Sequence, residues 1–132
     1  MKFFLAVISF IILSFAIAYP WHLIWFHDLY VSWGAVTRKD PIVPLGILAV
    51  IIQASVIAYL FPLFQKGNNP IIEGVLFSWI IGVVVWSVMG PTTAAKFNIE
   101  PVATFLTYHT IFQILQFTIT GIALGLIYGR KS

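Results

Sequence analysis

Apolar residues form four long runs along this chain, separated by short polar stretches. The runs cover about residues 3–26, 42–64, 70–90 and 101–129. Each run is long enough to cross a bilayer, because a transmembrane helix needs about 20 predominantly apolar residues. Lipid cannot satisfy backbone hydrogen bonds, so such runs are expected to be helical. Since short connections make sequential helices antiparallel, we predict an all-α membrane protein, one domain over residues 1–132, with four transmembrane helices in an up-down-up-down bundle.

An aromatic segment of about residues 27–40 follows the first run. Tyr30 and Trp33 lie in it, and Trp21 and Trp25 precede it. Trp and Tyr side chains are enriched where a membrane meets water. We therefore predict an interfacial segment with one or two helical turns, lying across the mouth of the bundle.

The first run also has features of a secretory signal peptide. Lys2 precedes it, and the small residues at 16–18 form an Ala-x-Ala pattern like a cleavage site. Hydrophobicity continues past residue 18 as far as Phe26, which favours an uncleaved first helix. Pro20 is expected to kink that helix, because a proline inside a helix lacks the N–H donor and clashes with the preceding turn.

The second, third and fourth runs each begin with an acidic or amide residue followed by proline. Proline fits the first position of a helix, and a preceding Asp or Asn caps the exposed donors. Glu caps less well, but its charge suits the positive end of the helix. The predicted helix starts are Asp40-Pro41, Asn69-Pro70 and Glu100-Pro101.

Polar residues gather on one stripe of the last run. Steps of four, three and four residues place them on a single helical face. One interpretation is hydrogen bonding between helices, worth ~0.6 kcal/mol per bond on average. The other is the wall of a polar cavity, since ionisable residues inside a membrane are functional candidates. Gln53 in the second run and Trp79 in the third are candidates for the same cavity, and the expected partner of the histidine is Gln53 or a polar residue of the third run. The stripe consists of His109, Gln113, Gln116 and Thr120.

Small residues form ridges on the last two runs. Spacings of four residues keep each ridge on one side of its helix. Such ridges let the backbones of membrane helices approach closely, so we predict that these positions are helix contacts. They are Gly121 and Gly125 in the last run, and Gly74, Ser78 and Gly82 in the third.

Composition excludes a soluble protein. Only 8% of the residues are charged and 61% are hydrophobic, with a mean hydropathy of +1.01, whereas soluble domains contain about 25% charged residues. Cysteine is absent, which excludes disulfides and thiolate metal sites. The basic residues form no run, so nucleic acid is not an expected partner, and their distribution favours cytoplasmic termini. Lys2, Lys66, Arg130 and Lys131 fall on the side of the termini, against Arg38, Lys39 and Lys96 on the other.

All three histidines, His22, His27 and His109, fall on one side in this topology. Imidazole is an ordinary ligand of haem and metals, which makes such a site a minority hypothesis. His22 and His27 are five residues apart, which is not one helical face, and no His-x-x-x-His or Glu-x-x-His motif occurs. We therefore predict no cofactor. Glu73, the only acid inside an apolar run, is expected to be satisfied by the helix dipole and nearby amides, with proton coupling as the alternative.

Enzyme signatures are missing from the sequence. It has no phosphate loop, no Gly-x-Ser-x-Gly and no His-Glu-x-x-His, so catalysis is not favoured. The leading hypothesis is a small non-catalytic membrane protein, either an accessory subunit of a larger complex or a self-associating bundle. The alternative is a small-solute transporter or ligand-binding protein whose polar cavity is lined by His109, Gln113, Gln116 and Gln53.

The order of motifs also resembles a known family. The third run combines Gly and Trp in GVLFSWIIGVVVWS, and the last contains Tyr108-His109 and closes on GIALGLIYG. Together with a Trp-, Tyr- and Pro-rich end of the first run, this pattern resembles the bacterial four-span membrane proteins of domain-of-unknown-function family 1761. The similarity covers nearly the whole chain, and Pro20-Trp21-His22 departs from the family pattern. The resemblance implies a compact four-helix protein of a bacterial inner membrane and no activity, because the family has none assigned.

Overall fold

The computed structural model describes residues 1–129, and every regular element in that range is helical. Four helices are long and apolar enough to cross a membrane, judged by length and composition. The all-α, four-helix architecture is therefore confirmed. Residues 130–132, which contribute to the charge bias, lie outside the described residues. The four spans are Lys2–Trp25, Val43–Phe64, Pro70–Lys96 and Val102–Tyr128.

Two of the spans contain a wider, π-helical turn next to a proline. Helix α1 (Lys2–Pro20) continues into the π-helical turn Trp21–Trp25, and the short helix α2 (His27–Ser32) follows. Pro20 therefore ends the regular part of the first span without ending the span. A π-helical turn adds a residue to the turn, a common local adjustment inside membrane helices that contain proline.

The third span is longer than the sequence suggested. Helix α4 (Pro70–Ser87) passes into the π-helical turn Val88–Thr92 and then into α5 (Thr93–Lys96). The apolar run was expected to end at about residue 90 and to be followed by a loop from Pro91 to Glu100. That prediction is wrong, since Pro91 lies inside the π-helical turn and the span continues to Lys96.

Only one of the three expected helix starts has the expected cap. Asn69 precedes α4, and its Oδ1 accepts hydrogen bonds from the N–H groups of Ile71 at 3.0 Å and Ile72 at 3.2 Å. Helix α3 (Val43–Phe64) begins two residues after Pro41 with no side-chain cap, and Pro44 occupies its first turn. Helix α6 (Val102–Tyr128) likewise begins after its proline, with no side-chain cap.

Helix α6 lies at the centre of the bundle, packed against α4 on one side and α1 on the other. Helix α3 packs mainly on α1 and touches α4 only slightly. The short connection between α3 and α4 therefore does not make them neighbours along their length, contrary to expectation. Their contact includes Phe77 of α4, whose ring lies 5.5 Å from that of Phe61 and 5.4 Å from that of Phe64.

The α4–α6 contact is a seam of small residues in which backbone lies against backbone. A Cβ added to Gly125 would lie 2.8 Å from Ile71 Cα, and one added to Gly121 would lie 2.9 Å from Val75 Cα. Ser78 Cβ also lies against Gly121. Side chains larger than hydrogen do not fit between such close backbones, which is why the contact needs glycine.

Buried apolar side chains form two clusters. The larger cluster joins α1, α3, α4 and α6, and includes Ala6, Phe10, Ala54, Phe61, Phe77 and Phe117. The second lies where α2 and the segment before α6 cover one end of the bundle, and includes Trp21, Tyr30, Trp33, Ile99, Phe105 and Phe112. The aromatic segment after the first span is thus packed over the start of α6.

Candidate functional site

The polar stripe of α6 is buried in protein. His109, Gln113, Gln116 and Thr120 are each at most 7% exposed. A helix that is polar on one side and glycine-rich on another must have neighbours on both. The structure places α6 in that position, between α1 and α4.

The C-terminal half of the stripe, Gln116 and Thr120, makes hydrogen bonds within the bundle. The Gln116 side-chain amide donates to Ser14 Oγ of α1 at 3.2 Å, and both residues are buried. Thr120 Oγ1 donates to the Gln116 carbonyl within α6 at 2.7 Å. Both hydroxyl and amide groups here have partners, so this half of the stripe is structural.

The N-terminal half of the stripe, His109 and Gln113, contains atoms that have no hydrogen-bond partner among the described residues. His109 Nε2 and Gln113 Oε1 are buried and make no hydrogen bond with any described residue. The expected bond between His109 and Gln53 is absent from residues 1–129, because Gln53 lies on α3, which packs mainly on α1. Gln116 and Thr120 are therefore hydrogen-bonded, whereas His109 Nε2 and Gln113 Oε1 are not. Gln53 contributes a hydrogen bond to neither part of the stripe.

The imidazole of His109 packs against an aromatic ring of its own helix and against the backbone of the third span. It stacks on the Phe105 ring at 5.8 Å with an interplanar angle of 7°. On another side it meets Gly90 of the π-helical turn, where an added Cβ would lie 2.9 Å from His109 Cδ2. The turn thus brings a residue without a side chain against the imidazole. His109 is held by packing, and its buried Nε2 makes no hydrogen bond with a described residue.

Two tryptophans of α4 donate hydrogen bonds to two threonines of α6. Trp79 Nε1 donates to Thr118 Oγ1 at 2.8 Å, and Trp86 Nε1 donates to Thr110 Oγ1 at 2.9 Å. Seven residues separate the tryptophans and eight separate the threonines, which suits two antiparallel helices with similar rise. The two bonds fix the register of α4 on α6.

A groove of about 420 Å³ lies between these two bonds. Gly82 and Val83 line it on α4, and the absence of a side chain at Gly82 leaves room beside the Phe117 ring. Val83 is 65% exposed and Trp79 is 46% exposed, so the groove opens on the outer surface of the bundle. Its lining residues are Trp79, Gly82, Val83, Trp86, Thr110, Gln113, Ile114 and Phe117.

The groove is apolar except for a small number of groups, most of which are already bonded. Both indole N–H groups are used, and Thr110 Oγ1 also donates to the Leu106 carbonyl at 2.6 Å. Gln113 lines the groove and makes no hydrogen bond with a described residue. Convergent apolar walls with one unused polar group are typical of a ligand site.

The structure gives each of the three candidate metal-ligating histidines other contacts. Across residues 1–129, no three His, Cys, Asp or Glu side chains lie close enough to hold a metal ion. His22 Nδ1 lies 3.1 Å from the Ala18 carbonyl oxygen, and His27 Nδ1 lies 3.6 Å from Asp28 Oδ1. His109 is held in the core by its packing on Phe105 and Gly90.

Tyr30 of α2 closes the end of the bundle. Its hydroxyl accepts a hydrogen bond from Trp21 Nε1 at 2.8 Å, and its ring lies 5.2 Å from that of Trp33. Burial raises the pKa of Tyr30 above its usual value, because the charged phenolate is poorly solvated there. The hydroxyl therefore stays protonated and serves as a structural bond.

Glu73 is buried at the opposite end, in the first turn of α4. Its Oε1 accepts backbone hydrogen bonds from Lys66 at 3.0 Å and Asn68 at 3.3 Å. These bonds tie the α3–α4 connection to the helix start, where the dipole also favours a negative charge. Oε2 is buried and has no partner among the described residues.

Sequence reasoning missed three members of the groove and its surroundings. Thr110 and Thr118 accept the indole bonds, and Gly90 receives the imidazole. Matched spacings of seven and eight residues for the Trp and Thr pairs were the available signal. The contact of Gly90 with His109 could not be predicted from spacing, because it depends on the π-helical turn.

No match was found to a protein-family model, to a curated protein or to a solved structure.

Proposed function

We propose that this protein binds a small, mostly apolar molecule dissolved in the bilayer, in the groove between α4 and α6. The observation that carries this proposal is the groove itself, a space of about 420 Å³ between apolar and aromatic walls. Gln113 is among its lining residues and makes no hydrogen bond with a described residue. Concave, mostly apolar sites with a small number of polar groups are typical of ligand binding.

The volume of the groove sets the size of the bound part. A cavity of about 150 Å³ holds one benzene molecule, with six non-hydrogen atoms. By that proportion, the volume of about 420 Å³ accommodates roughly 17 non-hydrogen atoms. The molecule enters sideways from the membrane, because the exposed Trp79 and Val83 form the outer edges of the groove.

The tryptophan walls suit a chain or a flat ring. Trp79 and Trp86 are separated by seven residues of α4, roughly 10 Å along the helix axis at 1.5 Å per residue. Indole rings offer broad apolar surface, and their N–H groups are already bonded to Thr118 and Thr110. The walls therefore hold their shape whether or not a molecule is bound.

The cellular setting is part of the same proposal. We place the four spans in a bacterial inner membrane, as the resemblance to family 1761 implies, with both termini in the cytoplasm. The charge bias supports this orientation, because Lys66 lies with the termini on one side and Lys96 on the other. The groove then lies within the membrane-spanning part of α4 and α6.

A matched pair of substitutions tests the binding. Val83→Trp fills the groove, whereas Val84→Trp adds the same side chain at a neighbouring position that does not line it. The two valines are similarly exposed, at 65% and 62%. In native mass spectra of gently extracted protein, we expect a bound molecule on the parent and on Val84→Trp, and its loss from Val83→Trp. A parent without bound molecules, or equal retention by both variants, would show that the groove is not a binding site.

Self-association is the second candidate, and one observation favours it. Residues 41–49 at the start of α3 are all exposed, and a Cβ added to Gly46 would meet no atom within 4 Å. Exposed small residues on membrane helices favour contact with another helix. The same native mass spectra report the oligomeric state. Dimers or larger species would support self-association, and monomers alone at every protein concentration would contradict it.

A further inference from the structure

We propose that Gln53 joins two copies of this chain in the membrane, through paired hydrogen bonds between the two Gln53 side chains across a twofold axis. Gln53 would then hold together the self-association proposed above, on which this inference rests. Helix α3 contributes no lining residue to the groove between α4 and α6. The groove and the contact between copies can therefore be tested separately.

Gln53 lies at mid-depth of its span without a hydrogen-bond partner. It stands in the middle of the 22-residue helix α3 and makes no hydrogen bond with a described residue. Its side chain is half-buried, and neither amide atom is enclosed by protein, so both are open to a neighbour. Hydrocarbon offers a carboxamide nothing to bond with, which makes an unpaired amide there costly. The partner that satisfies it has to come from outside this copy of the chain.

The helices of the same copy leave this part of α3 uncovered. The ring contacts of α3 with α4 lie near the end of α3, where Phe61 and Phe64 are 5.5 Å and 5.4 Å from Phe77. Gln53 lies eight residues before Phe61, roughly 12 Å along the axis at 1.5 Å per residue. Every buried residue of α3 follows Gln53 in the chain. The first half of the helix is therefore available to a second copy.

A carboxamide is its own complement. Its oxygen accepts and its N–H groups donate, so two facing Gln53 side chains can form two hydrogen bonds, one in each direction. A twofold axis along the membrane normal places the same residue of each copy opposite itself, so the contact needs no second polar group. A single polar residue in the seam of a parallel coiled coil fixes its pairing in this way. A second copy therefore matches the chemistry of Gln53.

The residues beside Gln53 allow two α3 helices to approach each other. Gly46 lies seven residues earlier on the same side of the helix, and a Cβ added there would meet no atom within 4 Å. Ala49 lies one turn before Gln53 and is exposed. A spacing of seven residues suits a left-handed pair of helices, and small residues favour contact between membrane helices.

The size of the effect follows from hydrogen bonds measured between membrane helices. Their strengths correspond to about 3-fold in an equilibrium constant on average and about 20-fold at most. Two bonds across the axis should therefore strengthen the dimer by about 10- to 400-fold. Gln53→Met keeps the length of the side chain and removes both bonds, so it should raise the dissociation constant of the dimer by that factor. Gln53→Asn keeps a carboxamide, and its constant should stay closer to that of the parent.

The dissociation constant is measured with the full protein in phosphatidylcholine vesicles, at increasing ratios of protein to lipid. Energy transfer between donor-labelled and acceptor-labelled copies reports the dimer, and Lys66→Cys in an exposed connection carries the label in every variant. Ser55→Ala is the matched control, because the Ser55 hydroxyl already donates to the Ile51 carbonyl at 2.8 Å within α3. The control should change the constant by no more than about 2-fold.

Disulfide cross-linking locates the face of α3 that meets the second copy. The sequence contains no cysteine, so Ala49→Cys and Leu48→Cys each provide a single thiol. Both positions are exposed, but at 100° per residue Ala49 lies about 40° from Gln53 around the helix and Leu48 about 140°. Under mild oxidation in native membranes, Ala49→Cys should form dimers and Leu48→Cys should not.

Each other outcome has a distinct meaning. Equal dissociation constants for the parent and Gln53→Met, or preferential cross-linking of Leu48→Cys, would overturn the role of Gln53 and leave self-association intact. A cross-link from Ala49→Cys to a different membrane protein would also overturn it. Energy transfer at the level of random collisions in the parent would overturn self-association and the inference together. None of these results bears on the groove, and the cross-linking keeps Gln53, so a Gln53→Met variant that fails to fold does not remove the test.

Discussion

A hydroxyl of α6 replaces a hydrogen bond that α3 has lost. Pro62 lies inside α3 and has no N–H to donate to the Ala58 carbonyl one turn earlier. Tyr128 donates its hydroxyl to that carbonyl oxygen at 2.7 Å. Ala58 is only 1% exposed, so water has little access to it. Tyr128 therefore joins α6 to α3 at the point where proline weakened the helix.

Tyr128→Phe should lower the free energy of unfolding by about 1–1.5 kcal/mol. Bonds between membrane helices average ~0.6 kcal/mol and reach about 1.7 kcal/mol. The upper part of that range is expected because Pro62 removes the backbone N–H that would normally donate to the Ala58 carbonyl. An unpaired buried carbonyl alone costs about 1–3 kcal/mol in proteins generally, which bounds the effect from above.

A double-mutant cycle isolates the physical reason. Pro62→Ala restores an N–H that can bond to the Ala58 carbonyl, so Tyr128→Phe should cost less than about 0.5 kcal/mol in that background. Tyr59→Phe is the control, because Tyr59 is 67% exposed and makes no hydrogen bond with a described residue. Its effect should stay within about 0.5 kcal/mol, as is usual for exposed sites.

The measurement is reversible unfolding in mixed micelles with increasing sodium dodecyl sulfate, followed by far-ultraviolet circular dichroism. The slope of the transition must remain similar between variants for the free energies to be compared. An equal cost of Tyr128→Phe with and without Pro62 would refute the reasoning, since the hydroxyl would then contribute independently of the missing N–H. No cost in the parent would refute the bond itself.

Two further predictions concern the seam and the orientation. Gly125→Ala should destabilise the protein by about 1–3 kcal/mol, because its Cβ would lie 2.8 Å from Pro70 backbone carbon, whereas Gly46→Ala, in open space, should be neutral or stabilising by up to about 1 kcal/mol; equal unfolding curves for the two variants would contradict the seam. Because the sequence contains no cysteine, Lys96→Cys and Lys66→Cys report sidedness without background. We expect an impermeant maleimide added to intact cells to label Lys96→Cys only, and the reverse pattern would place the termini outside.

The sequence predicted the elements of this fold better than their arrangement. Hydropathy and length located four helical spans, because membrane helices must satisfy their backbones internally. The end of the third span was placed too early, at about residue 90, because a π-helical turn accommodates Pro91 and the span continues to Lys96. The short connection before Pro70 was also misleading. A short loop fixes only the adjoining ends of two helices, and the remainder of α3 packs on α1.

The candidate site was predicted in part for a similar reason. Helical periodicity placed His109, Gln113 and Gln116 on one face, and all three are buried. Periodicity does not indicate which neighbour meets each turn. Gln116 meets Ser14 of α1, while His109 meets Gly90 of the third span. The groove depends on that arrangement, because it lies between the Trp–Thr bonds of two particular helices.

The packing of α3 has a consequence for how this sequence can change over time. The buried residues of α3 are Ala54, Ile57, Ala58 and Phe61, all in its second half. Residues 43–49 face outward from the bundle. If the protein is a monomer, selection on those positions should require only hydrophobicity and helix length, since lipid accepts many side chains of different shape; if the start of α3 is a contact between copies, Gly46 should stay small. Ala54 and Ala58, by contrast, are buried in the larger apolar cluster, where a bigger side chain would overpack the core. Related chains of a monomeric protein should therefore vary freely among apolar residues in the first half of α3 and keep small residues in the second.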